Sequence, residues 1–167
     1  MKTTKITGIT YFIGILFLGA QLSLSAQVHP DQLKKLEGQW IVLQKHTSKH
    51  RGEHKVETES TNYSAAGSDK LIYNFASPNK LTITEIENKN GKEETDIDHY
   101  EIKKLDNNLL EVVKLDDDDL VKEVMKATWT INNKDNLVLT FKRKKTFSKT
   151  VRTRVLTLTR DNKNQTR

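Results

Sequence analysis

Apolar and polar positions alternate with a period of two over much of this chain. Met125, Ala127, Trp129 and Ile131 interleave with Lys126, Thr128, Thr130 and Asn132, and after NNKDN the pattern resumes in Leu137, Leu139 and Phe141. A period of two puts successive side chains on opposite faces, so each run reads as a half-buried strand and the pair as an antiparallel hairpin. The same reasoning predicts strands over 39–46, 70–76, 80–87, 95–105, 108–115, 122–132, 136–145 and 150–160, with a more polar one at 54–61. Two faces compete on 108–115, where Leu110 and Val112 alternate with Leu109, Val113 and Leu115.

Turn chemistry separates these runs: SPN at 77–79, NKNGK at 88–92 and DNN at 106–108. Short strands at near-regular spacing favour an up-and-down meander over crossover topologies. One helix signal interrupts them. Pro30 and a capping Asp31 precede Leu33 and Leu36 on one side of a turn or two, which Gly38 ends. The chain shows no internal repeat and no sustained heptads.

The first residues are read as a leader. Lys2 and Lys5 precede the apolar run Ile9–Gly19, which is shorter than the roughly 20 residues of a membrane span. Cleavage after Ser25 leaves small Ser23 and Ser25 at the recognition positions. The expected division is a signal peptide over 1–25, a single domain over 26–160 and a polar tail over 161–167, with the mature protein secreted or periplasmic and holding no stable membrane anchor. The sequence contains no cysteine, which excludes disulfides, thiolate metal sites and a lipid-accepting cysteine. A domain of about 140 residues can stabilise itself by its core.

Charge narrows the functional classes. Net charge is +6, and removing the two leader lysines leaves 26 basic against 22 acidic residues. Lys142–Lys145 forms the main basic run, but only Phe147 lies nearby to stack on bases, so nucleic-acid binding is not expected and a solvated hairpin end is. Asp116–Asp119 lacks the glycine and spaced acids of a calcium loop and reads as a charged turn.

The layout resembles the lipocalins, and above all the small bacterial lipocalin-like domains. A short helix leads to Gly38-x-Trp40 at the start of the first long strand, antiparallel strands follow, and Arg160 in LTLTR ends the last one. The resemblance implies that Trp40 packs across the closed end of a barrel and that Arg160 lies over it. Thr95-Asp96 in TDIDHY is similar to the family's second motif, a Thr-Asp in a loop near the closed end, although it stands earlier than that pattern places it. The chain also lacks a cysteine pair, and nothing after Arg160 matches the C-terminal helix of a full lipocalin.

The expected fold is therefore all-β: a single antiparallel up-and-down β-barrel of about eight or nine strands with a short N-terminal helix. About eight strands leave an interior that side chains fill or that holds one small ligand. Candidate interior positions for ligand contact are Tyr73, Phe75, Tyr100, Ile102, Trp129 and Ile131, with Gly38, Trp40 and Arg160 as the structural signature. A core of these residues needs no ligand. His46, His50 and His54 recur every fourth residue beside Glu53, but Gly52 and the polar neighbours predict a loop after the first strand, so no metal site is assigned; His99 stands apart. Catalytic signatures such as GxSxG, HExxH or a phosphate-cradling glycine loop are lacking, and neither catalytic residues nor a cofactor is expected. Two readings follow: an extracytoplasmic binding module carrying a small hydrophobic molecule, or a closed barrel acting through its surface as an interaction or structural protein. The sequence does not specify an oligomeric state.

Overall fold

The structure, a computed structural model, describes residues 27–64, 68–115, 120–144 and 150–161. The expected leader, the Asp116–Asp119 run, Lys145 and the tail beyond Asp161 lie outside the described residues. Each predicted strand is present. The elements are β1 (Gln27–Val28), α1 (Pro30–Leu36), β2 (Gly38–Arg51), β3 (His54–Asn62), β4 (Lys70–Ala76), β5 (Lys80–Lys89), β6 (Lys92–Leu105), β7 (Leu109–Leu115), β8 (Val121–Ile131), β9 (Leu137–Lys144) and β10 (Thr150–Arg160).

Strands β2, β4, β5, β6, β7, β8, β9 and β10 pair in that order, all antiparallel, and β10 returns to β2. The result is a closed eight-stranded barrel, with β1 added parallel to the end of β6 and β3 paired to β2. Closure removes sheet edges around the ring. On β7 the competition of faces is resolved inward for Leu110 and Val112, which join the central core, while Val113 faces out and is covered by its neighbours.

Two expectations are corrected. The first long strand does not stop at residue 46: β2 continues to Arg51, and the segment HTSKHRGEH is the upper part of a hairpin with β3 rather than a loop. Backbone pairing on both sides, to β3 and to β10, holds this polar stretch extended where propensity alone would not. Asp31 is likewise not the helix cap. His29 holds that position without a side-chain cap bond, Pro30 opens the helix, and Asp31 sits in its first turn, where its charge favours the helix N-terminus.

The base of the barrel is built around the helix. Leu33 and Leu36 face into the core, and Leu36 is 0 % exposed. Trp40 is 1 % exposed, and its Nε1–H donates to the Leu36 carbonyl at 2.7 Å. The Arg160 guanidinium lies 4.3 Å from the Trp40 ring centroid and donates from Nη1 to the Glu37 carbonyl (2.6 Å) and from Nη2 to the Lys35 carbonyl (2.7 Å). One cation thus covers the aromatic face and satisfies carbonyls left open at the helix C-terminus. Gly38 joins helix to strand at φ +107, a conformation that L side chains rarely adopt, and a Cβ there would stand 3.5 Å from Arg160 Nη1.

The β6–β7 turn shows how the closed end is held. Asp106 accepts backbone N–H bonds from Asn108 (3.2 Å) and Leu109 (2.9 Å), while its own carbonyl accepts the Trp129 Nε1–H at 2.9 Å. The bond from Asn108 outweighs the opposing effect of burial, and with the bond from Leu109 and the nearby Lys104 it holds the Asp106 carboxyl below its ordinary value. A depressed folded-state pKa contributes stability that is present above the unfolded value of about 3.9 and is lost as pH falls through the lower folded value. Asp106→Ala is therefore expected to destabilise at pH 7 and to lose that effect in acid. Denaturant midpoints for both proteins at pH 7 and pH 2 check this.

Candidate functional site

Because opposed residues in an antiparallel pair share a face, the register divides the interior into two halves. Toward the base, Trp40, Val42, Phe75, Leu81, Ile102, Leu110, Leu137, Leu139, Leu156 and Leu158 are nearly inaccessible and form a packed core. Toward the mouth, the same inward face carries Lys45, Thr47 and Lys49 on β2, opposite Leu156, Arg154 and Arg152 on β10. On β9 it carries Phe141 and Arg143, opposite Arg154 and Arg152. On β5 and β6 it carries Glu85 opposite Asp96, and Glu87 opposite Glu94, with Asp98 opposite Ile83. Lys114 and Glu123 are opposed on β7 and β8.

The mouth is also split. Strands β8 and β9 pair only from Ala127–Phe141 down to Ile131–Leu137, so β8 above Ala127 and β9 above Phe141 stand apart. On the other side, β2 exchanges partners: β4 pairs with its first residues and β3 with its upper part, so β3 and β4 are two pieces of one descending strand, broken between Asn62 and Lys70. The upper barrel is therefore two leaves. One, formed by β3, β2, β10 and β9, has an inner wall that is basic on β2, β10 and β9, with Glu57 and Glu59 of β3 at its edge; the other, formed by β5, β6, β7 and β8, has an acidic one.

Several groups register both walls at once. Burial raises the Tyr63 hydroxyl above its ordinary value, Glu85 and Glu87 push it further, and Arg154 pulls the other way. Tyr73 is raised by its deep burial, with Arg154 opposing and Glu85 adding to the effect. Tyr100 is raised by burial and by the adjacent Glu123 and Asp98 carboxylates; its hydroxyl donates to Glu123 Oε2 at 3.3 Å. Lys114 is paired with Asp98, and Lys49 with Glu57, each in close contact. Tyr73 and Tyr100 mark the level at which the packed core gives way to the charged mouth.

Among the concavities, one of about 660 Å³ occupies the slot between β8 and β9, lined by Glu123, Met125, Phe141, Arg143, Arg152 and Arg154 together with outer lysines 122, 126 and 142. That volume lies within the usual range of small-molecule sites, roughly 300–1,000 Å³. A smaller one, of about 330 Å³, lies at the β5–β6 hairpin among Glu85, Glu87, Lys89, Glu94, Thr95 and Asp96.

Tyr73, Phe75, Tyr100, Ile102 and Trp129 come together in the core, where Phe75 and Ile102 form part of the packed base. Ile131 is not buried with them: it is the last residue of β8, beside the turn at 132–136, and is 37 % exposed because no element covers it. Thr95 and Asp96 lie within β6 near the mouth, paired with Ile86 and Glu85, and not in a closed-end loop, so the second family motif is not present there. His46 and His50 lie on the outer face of β2, with His46 Nδ1 2.8 Å from Ser60 Oγ, and His99 Nδ1 lies 3.3 Å from Thr82 Oγ1. Among the described residues no group of three or more His, Asp or Glu side chains is placed to hold a metal.

No protein-family model matches the sequence, and no curated protein matches it. The charged mouth was not legible from periodicity. Lys45, Thr47 and Lys49 alternate with other polar residues, and Arg152 and Arg154 with Val151, Thr153 and Val155, so the sequence does not mark these cations as inward; only the cross-strand register does.

Proposed function

We propose that this chain is a lipocalin-like binding module of the extracytoplasmic space, and that it binds its ligand in the split upper half of the barrel. The leader-like residues 1–25 support the location. The arrangement of Gly38, Trp40 and Arg160 at the closed end supports the family reading. The observation that carries the function is the contrast between halves: a base packed with side chains beneath an open mouth lined by Met125, Phe141 and charged groups. A purely structural barrel gains nothing from like charges facing each other across neighbouring strands, which destabilise a sheet. A ligand with an apolar part on Phe141 and Met125 and a charged part toward the walls fits this lining better than a wholly apolar one.

Native mass spectrometry of protein recovered from its own host tests the reading. The expected results are an N-terminus near Ala26 or Gln27 and a small-molecule mass increment that is lost on denaturation. An intact Met1 would overturn the location. A bare mass in every preparation, with binding of another macromolecule to the outer strand faces, would favour the closed interaction barrel.

A further inference from the structure

The basic leaf holds an arrangement that the fold itself does not require. Arg152 on β10 stands directly opposite Arg143 on β9 and directly opposite Lys49 on β2, so three cations lie in one row across the sheet. Directly opposed positions bring Cβ atoms within about 4.5–5.5 Å, and like charges placed there are destabilising. Arg154 follows two residues along the same face, roughly 7 Å further down the strand. Lys49 is neutralised by Glu57. Among the described residues, Arg143, Arg152 and Arg154 make no ion pair; Glu57, whose carboxyl feels Arg152, is held by Lys49, so three guanidiniums converge on the slot with one shared carboxylate near Arg152.

We propose that Arg143, Arg152 and Arg154 bind the phosphoryl group of an organic phosphate monoester entering between β8 and β9. The inference rests on the mouth being the ligand site and adds the ligand's chemical class. Each guanidinium offers paired N–H donors in a planar fork that matches two oxygens of a phosphate, and three of them can serve the three terminal oxygens of a monoester dianion. The bound dianion also removes the repulsion between Arg143 and Arg152. Phe141, directly opposite Arg154, and Met125 on the facing strand supply an apolar wall for the organic portion, which is why an ester fits the slot better than free phosphate. Glu123, on the other lip, already accepts from the Tyr100 hydroxyl and would receive a ligand hydroxyl rather than an anionic group.

Calorimetry with the full mature chain at fixed ionic strength tests the proposal, using phenyl phosphate, inorganic phosphate, sulfate and vesicles containing phosphatidic acid. The expected order is phenyl phosphate tighter than inorganic phosphate, and both tighter than sulfate. Arg152→Gln is expected to weaken phenyl phosphate about tenfold or more, and the triple change of Arg143, Arg152 and Arg154 to Gln to abolish binding, since charge-assisted contacts are lost. Binding to the vesicles but not to phenyl phosphate would assign the phosphoryl group to a lipid headgroup; the reverse would assign it to a soluble ester. The ligand-free Arg152→Gln protein should unfold at a slightly higher denaturant concentration than wild type, showing that the variant folds and that the repulsion is real. Equal affinity in the triple variant, or no preference for phenyl phosphate over sulfate, overturns the oxyanion site. A host-derived ligand that copurifies with the triple variant as well as with wild type would sink this inference while leaving the binding-module reading intact.

Discussion

Trp40→Ala is expected to cost about 3–5 kcal/mol of folding stability, the usual range for deleting a buried large aromatic. Three effects add. The indole is 1 % exposed at the junction of helix and barrel, so its removal leaves a void bounded by rigid strands. The Leu36 carbonyl loses the indole N–H, and the Arg160 guanidinium loses the ring it covers. Arg160→Ala should cost less, about 1–2 kcal/mol, because the cation–π contact and two hydrogen bonds are partly replaced by water. The double variant should lose less than the sum of the single ones, since each partner is worth less without the other. Chemical denaturation of all four proteins measures this coupling; strictly additive losses would mean that the contact between the end of β10 and Trp40 at the start of β2 contributes nothing in solution.

Leu36→Ala should be nearly as damaging, at about 2–5 kcal/mol. A seven-residue helix is too short to be stable by itself, so what holds α1 is the apolar face it buries. Leu36 is the fully inaccessible member of that face; Leu33, at its edge, is 8 % exposed and should cost less when truncated. Because Leu36 also presents the carbonyl that Trp40 and its neighbourhood depend on, loosening the helix should be visible as a change in tryptophan emission before global unfolding. A loss below about 1 kcal/mol, smaller than core truncations cost, would show that the barrel closes without its helical plug.

The parts of this architecture that could be read from sequence are those where one strand face is apolar. On β4, on β9 and in the lower part of β8 the apolar residues recur at every second position, and the inward set on β8 and β9 follows directly from that pattern. The closed end needed a different kind of clue: Gly38, Trp40 and Arg160 are far apart in the chain, and their juxtaposition rests on a family resemblance and on no local rule. The mouth gave no such signal. Along β2 the apolar run Trp40–Leu43 ends where a bulge opposite Thr157–Leu158 shifts the register, and beyond it the inward residues are lysine and threonine and the outward ones include histidine and serine. Polar residues on both faces erase the period-two contrast, and the histidine segment consequently resembled a loop. The separation of the two leaves was equally hidden, since the loss of pairing between the upper parts of β8 and β9 is a matter of which strands fail to meet.

Where the mouth splits, β8 above Ala127 and β9 above Phe141 present backbone donors and acceptors that no neighbouring strand in the ring takes up. Such edges are templates for pairing with another chain, and proteins commonly blunt them with charge. Lys122, Lys126, Lys142 and Arg143 line this opening. Arg143, which helps draw an anion inward, and the outer lysines beside it therefore keep a second molecule's strand, carrying the same cations, from docking there. Colloidal behaviour and ligand capture are thereby tied to one variable, ionic strength: salt that screens the slot against its ligand also removes the barrier to strand exchange between copies.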